Sequence, residues 1–216
     1  LHQALPARRQ NLLLLGASYV FYGWWDARFL ALILLSTAVD YAVGVALSRE
    51  GARRKLLLGV SLATNLGLLG VFKYFDFFVA SANAALSSLG LSTSLPALRL
   101  ILPVGISFYT FQTLSYTIDV YRGRLEATRD PVQFAVFVAF FPQLVAGPIE
   151  RAAHLLPQFA APRRFDARLA RDGLRQMLWG FFKKLVVADN LALLVDAVYG
   201  SPERVGSGGT LLLATY

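Results

Sequence analysis

Between positions 103 and 121 an otherwise apolar segment carries four side chains able to give, take or hold a proton: Tyr109, Gln112, Tyr116 and Asp119. In a helix this spacing places them on one face, while Phe111, Leu114 and Ile118 line another. Such a stripe can do two kinds of work. It can hydrogen-bond neighbouring helices, at ~0.6 kcal/mol per contact inside a membrane. Alternatively, it can line a cavity that admits water or substrate. An ionised Asp in hydrocarbon costs at least ~2.5–3.5 kcal/mol, so the face turns toward protein or water in either case. Four such groups together favour the cavity. Gln143, next to Pro142, is a fifth candidate for the same lining, because a proline frees a carbonyl one turn earlier and the adjacent amide can meet it or a substrate.

Proton abstraction from a hydroxyl is ordinarily a task for histidine. The chain has only His2 and His154. His2 sits at the very start and is set aside. His154, between Pro148 and Pro157, reads as a partly exposed residue of a basic loop or interfacial turn. No residue of this chain is assigned a catalytic role. The absence of cysteine excludes disulfides, thiolate metal sites and a thiol nucleophile within it. Asp40 and Asn65 each interrupt an apolar run and can line the cavity or satisfy neighbouring helices. Helix contact is the better reading for Asn65, and Asp40 stays open. Lys73 is expected to snorkel to the headgroups on its apolar stem, and Gly147-Pro148 to end a helix.

The elements that position these groups read as membrane helices. Hydrophobic residues make up 56% of the chain and charged ones 16%, against roughly 25% charged in soluble domains. Mean hydropathy is +0.53. Apolar spans are expected at 11–25, 29–48, 56–72 and 103–121, with an outer connection over 80–98 that has room for a short helix. The basic loop 49–55, "REGARRK", is cytoplasmic by the positive-inside rule, which puts Arg8 and Arg9 inside and Asp26 and Arg28 outside. Beyond residue 100 the rule conflicts with itself. If 103–121 spans, then 122–130 is inside and 150–175 outside, yet 150–175 is basic. A re-entrant element over 134–147, near Pro142, removes the conflict. Residues 166–199 have an amphipathic pattern, interfacial in the first half and entering the membrane in the second, with Lys183 and Lys184 at the headgroup level. Arg168, Arg171, Asp172 and Arg175 form its polar face, with Leu169, Leu174, Leu178 and Phe182 on the apolar one. The net charge of +8 is spread between apolar runs and not gathered into one basic face, which argues against nucleic acid. The expected fold class is all-α, a polytopic membrane helical bundle with re-entrant and interfacial helices. One transmembrane domain covers 1–216, and the apolar run at the end and the absence of an initial Met suggest a piece of a longer chain.

Three stretches, "LPVGISFYTFQTLSYTIDVYRG" (102–123), "FFPQLVAGPIER" (140–151) and "GFFKKLVVADNLA" (180–192), occur in this order. With "ASYVFYGWW" (17–25) they resemble the membrane-bound O-acyltransferase family, in particular its alginate O-acetylation members and their D-alanyl-transfer relatives. The resemblance implies a ring of helices around a central tunnel, within a multi-pass protein of the inner membrane. It implies transfer of an acyl group, acetyl first, to hydroxyls of an exported polysaccharide. The co-substrate would be a thioester or carrier-linked acyl donor, with no bound cofactor and no metal. Membrane lipids, the polysaccharide acceptor and periplasmic acetylation proteins are the implied partners. It further implies an essential histidine in an apolar segment beyond Tyr216, so that residues 1–216 alone would be inactive. D-alanyl transfer to teichoic acid is the close alternative. A transporter or channel is the alternative from another class, because intramembrane Asp, Gln and Lys also mark ion pathways.

Overall fold

Long apolar runs without turn-forming clusters propagate as helices, and the computed structural model shows little else. It describes residues 5–91, 95–98, 100–144, 147–201 and 207–215, and every regular element among them is helical. The chain divides into two units, Leu1–Arg163 and Arg164–Tyr216. In the first, α1 (Ala7–Trp25) and α2 (Arg28–Leu47) are joined by a two-residue connection that turns the chain back on itself. At that turn Asp26 accepts hydrogen bonds from the Arg28 backbone at 2.9 Å and from its Nη2 at 2.6 Å, which hold the Asp26 carboxyl below the usual carboxylate range.

Among the described residues two helices are long and apolar enough to cross a membrane: Arg28–Leu47 and Arg54–Ser88. The second runs on past the expected span 56–72. α3 (Arg54–Leu69) runs through a π-helical turn at Gly70–Tyr74 into α4 (Phe75–Ser88). Its 35 residues make about 52 Å of helix. No proline interrupts this stretch, and the π turn absorbs the irregularity around Gly70 without ending the helix. Residues 80–88 of the expected outer connection are therefore helical, and residues 92–94 lie outside the described residues.

The motif helix α5 is Ile106–Tyr121, not 103–121. Gly105 holds φ at +76°, a left-handed conformation that favours glycine and cannot continue a helix upstream. There a Cβ would lie 2.8 Å from the Leu144 carbonyl oxygen, so backbone approaches backbone closely. Sixteen residues give about 24 Å.

α6 (Pro131–Ala139) starts sharply: Pro131 needs no N–H donor there, and Asp130 Oδ1 accepts from Val132 N at 2.9 Å and Gln133 N at 3.3 Å. The helix breaks at Phe140, upstream of Pro142, which lacks the N–H that would continue it. The short α7 (Phe141–Leu144) follows, and α8 (Ala152–Ala160) returns.

Contacts along this path settle its direction. Tyr41 Oη donates to Arg129 O at 2.8 Å. Leu144 adjoins Gly105 at the opposite end of α5. Gln133 Nε2 donates to Leu156 O at 2.8 Å, and Asn11 Nδ2 to Phe159 O at 2.9 Å. Residues 131–163 thus form a broken hairpin that starts near the C-terminal half of α2 and comes back to the start of α1. Its two ends share one end of the first unit.

The first unit is built from α2, α3 and α5 packed against one another, with α6 and α8 closing on α1 and α5. Tyr116, Phe134 and Phe137 stack through its centre, with ring centroids 4.6 and 6.0 Å apart. Arg54, read above as part of a topology-setting loop, has a second task. Its Nη1 donates to Leu47 O at 2.9 Å and its Nη2 to Val120 O at 3.2 Å and Tyr121 O. One guanidinium caps the C-terminal ends of α2 and α5, where the helix dipoles gather negative charge.

In the second unit α9 (Ala167–Phe181) continues through a π-helical stretch, Phe182–Ala188, into α10 (Asp189–Tyr199). Asp166 caps α9 by accepting from Arg168 N at 2.7 Å. The closing apolar run forms α11 (Gly208–Thr215), which Tyr199 Oη meets at Thr215 Oγ1, 2.6 Å away.

Candidate functional site: a polar seam between three helices

The largest polar cluster sits where α2, α3 and α5 meet. Asp40 of α2 is 0% exposed. Its Oδ1 accepts from Ser61 Oγ and, at 3.0 Å, from Thr117 Oγ1, and its Oδ2 accepts from Asn65 Nδ2 at 2.7 Å. Asn65 Oδ1 in turn accepts from Ser36 Oγ at 2.7 Å and Thr113 Oγ1 at 3.3 Å. The six residues come in three pairs spaced four apart: Ser36 with Asp40, Ser61 with Asn65, Thr113 with Thr117. A four-residue step is one helical turn, so each helix offers two polar groups on one line. That shared spacing was the signal in the sequence. Ser36, Ser61, Thr113 and Thr117 escape a reading of single helices, because each takes its role from a partner on another helix.

That other face is buried as well. Tyr109, Gln112 and Tyr116 are all in the interior, while Phe111 is half-exposed. Leu114, assigned above to an apolar face, is buried too, because α5 is covered nearly all round by α2, α3, α6 and α8. Gln112 Nε2 donates to Phe137 O at 2.6 Å, tying α5 to α6 two residues before that helix ends. The Tyr109 and Tyr116 hydroxyls meet no partner at hydrogen-bonding geometry. Tyr109 lies near the Tyr22 hydroxyl, which is committed to Val104 O at 2.9 Å. The Tyr116 hydroxyl presses on α2 at Gly44, where a Cβ would lie 2.6 Å from it.

The remaining candidates separate from this group. Asp119 is only partly buried, near the C-terminal end of α5. Gln143 turns its amide to Pro148 O at 2.7 Å and so braces the Gly147-Pro148 turn. Lys73 reaches Ser107 Oγ at 3.3 Å from within the π turn. His154 lies on α8 and not on a loop, with its side chain 73% exposed and Nδ1 3.1 Å from Glu150 Oε2. His2 lies outside the described residues.

An apolar hollow of about 650 Å³ opens between α1, the start of α2 and α7, lined by Val20, Phe21, Tyr22, Phe29, Val104 and Phe141 among others. It offers room for hydrocarbon and no group that does acid–base chemistry at neutral pH. Among the described residues no three His, Cys, Asp or Glu side chains gather as a metal site. The seam ties α2, α3 and α5 together through Asp40 and Asn65, and the hollow presents an apolar wall.

These features define a class: a helical membrane protein whose apolar helices close over a hydrogen-bonded polar seam. No family model and no solved structure matches the chain. Among curated proteins it is 45% identical, over 88% of its length, to a probable alginate O-acetylase of Pseudomonas syringae pv. tomato. It is 44% identical over 91% of its length to that of Azotobacter vinelandii. To the peptidoglycan O-acetyltransferase of Helicobacter pylori it is 34% identical over 86%. The chain spans 37% of the first relative's own length and 40% of each of the other two. It is a homologue of the alginate O-acetylases, which are members of the membrane-bound O-acyltransferase family.

Proposed function

We propose that the protein is a multi-pass inner-membrane O-acyltransferase that moves acetyl groups onto hydroxyls of an exported polysaccharide. The observation that carries this reading is the 44–45% identity, over about nine-tenths of the chain, to proteins named alginate O-acetylase. The co-substrate is an acetyl thioester or carrier-linked acetyl group, and periplasmic acetylation proteins receive or assist the product. Residues 49–55 face the cytoplasm, with 122–130 and the start of α1 on the same side. The broken hairpin 131–163 enters from that side and returns to it, which supports a re-entrant element around Pro142. In such a transfer a base takes the acceptor's hydroxyl proton as the oxygen attacks the acyl carbonyl and the thiol leaves. His154, exposed and paired with Glu150, is not that base. The base is a histidine of a segment beyond Tyr216, as the family resemblance implies. Lining of a tunnel by α5 falls to Tyr109 and Asp119, since the amides of Gln112 and Gln143 already hold backbone carbonyls and Tyr116 is pressed against α2.

Deleting the gene in its host and assaying base-labile acetate on the exported polysaccharide tests this. The expected result is loss of most ester-linked acetate, restored by the full-length gene, with polymer yield unchanged. Unaltered acetate in the deletion strain, or loss of export itself, would reject the reading in favour of a transporter.

A further inference from the structure

We infer that α9 is a docking site for anionic phospholipid headgroups, lying along the membrane surface with its apolar face in the acyl boundary. Among the described helices it divides polar from apolar residues most sharply. Leu174, Met177, Leu178 and Phe181 follow helical spacing on one side and stay uncovered, Leu178 at 71% and Phe181 at 58% exposed. Arg168, Arg171 and Arg175 follow the same spacing along one flank of that stripe.

Charge decides what covers this helix. Residues 164–184 hold six cations (Arg164, Arg168, Arg171, Arg175, Lys183 and Lys184) and two acids, a net charge of +4. Both acids are occupied. Asp166 caps the helix, and Asp172 lies 3.6 Å from Arg175 and 4.0 Å from Arg171. Lys184 pairs with Asp189 just beyond this stretch, and the cations left over face an anion beside an apolar phase. A leaflet of anionic phospholipid supplies both along the whole helix, with phosphate oxygens for the guanidinium forks and acyl chains for the leucines. At the end of α9, Trp179 stacks on Phe182 with centroids 5.3 Å apart, and Lys183 Nζ sits 5.4 Å from the Trp179 ring centroid. Aromatic rings bracketed by Lys mark the headgroup level. The inference rests on the chain's membrane placement and not on acetyl transfer, so failure of either leaves the other standing.

The test uses the full-length protein reconstituted in nanodiscs of phosphatidylcholine, alone or with about a third phosphatidylglycerol. Nitroxides are attached through Leu178→Cys and Arg175→Cys in a background without other reactive thiols. Oxygen should reach the Leu178 label more readily than a water-soluble nickel chelate does, and the order should reverse at Arg175. A photoactivatable phosphatidylglycerol should cross-link to residues 167–184. The triple change Arg168→Gln, Arg171→Gln and Arg175→Gln should cut that yield at least fivefold, the factor that ~1 kcal/mol per cation predicts for a single lost contact. These positions are exposed, and an unchanged thermal midpoint confirms that the variant is folded. Any of three results would overturn the proposal. A Leu178 label shielded from both reagents means that protein covers the face. Equal access of the nickel chelate at both sites means that the helix stands in water. Cross-linking that is indifferent to the triple change or to the lipid's charge removes the headgroup site.

Discussion

Replacing Asp40 by Leu is expected to destabilise the full-length protein by about 2–4 kcal/mol, with a large drop in thermal midpoint in detergent. Leu occupies a similar volume, so the loss is not one of packing. Ser61 Oγ, Thr117 Oγ1 and Asn65 Nδ2 all donate to this carboxyl, and removing it strands them in a place without water. A buried donor left without an acceptor costs ~1–3 kcal/mol. Neighbouring groups find partial substitutes inside a membrane, which lowers the sum. Asp40→Asn keeps one oxygen acceptor and should lose much less, because the hydroxyls of Ser61 and Thr117 can rotate to meet the new amide. The expected order of thermal midpoints is parent, then Asn, then Leu. A Leu variant as stable as the parent would show that the seam does not hold α2, α3 and α5 together.

Gly44→Ala is the second large effect expected, about 1–3 kcal/mol from overpacking. A Cβ there would lie 2.6 Å from Tyr116 Oη and 2.7 Å from Cε1, and the ring cannot retreat because it packs on Phe134, 4.6 Å away. Tyr116→Phe removes the oxygen and leaves the Cε1 clash, so its relief is partial. Tyr116→Leu removes both. A double-mutant cycle of Gly44→Ala with Tyr116→Leu should be strongly non-additive, the pair less damaging than the sum by about 1 kcal/mol or more. Additive losses would mean that α2 and α5 do not meet at this glycine.

The helical class and the run of α2 could be read directly, because twenty residues of nearly unbroken apolarity have few other uses. The length of the Arg54–Ser88 helix could not be. Lys73 suits the headgroup level, but charge marks depth and does not stop a helix, and no proline lies between Arg54 and Ser88. Gly105 shows the converse. The expected span begins at 103, but the left-handed Gly105 sets the true start of the helix at Ile106. Asp40 was noticed and left undecided, since its meaning depends on Ser61, Thr113 and Thr117 arriving from two other helices. The topology conflict after residue 100 was legible as a conflict. That residues 131–163 double back was not, because it rests on the hydrogen bonds that place Leu156 beside Gln133 and Phe159 beside Asn11. Arg54 could be read as one more positive charge, and only the geometry shows that it caps two helices.

The proposed acetyl transfer, independent of His154, can be followed in inner-membrane vesicles holding the full-length protein. These are supplied with a labelled acetyl thioester and the exported polysaccharide, and label is counted in base-labile ester. Vesicles with the parent protein should place label on the polymer, and those with His154→Ala at matched expression should retain most of it, while vesicles from the deletion strain should place none. Label at the deletion level for His154→Ala, or no transfer by the parent protein at all, would contradict the account.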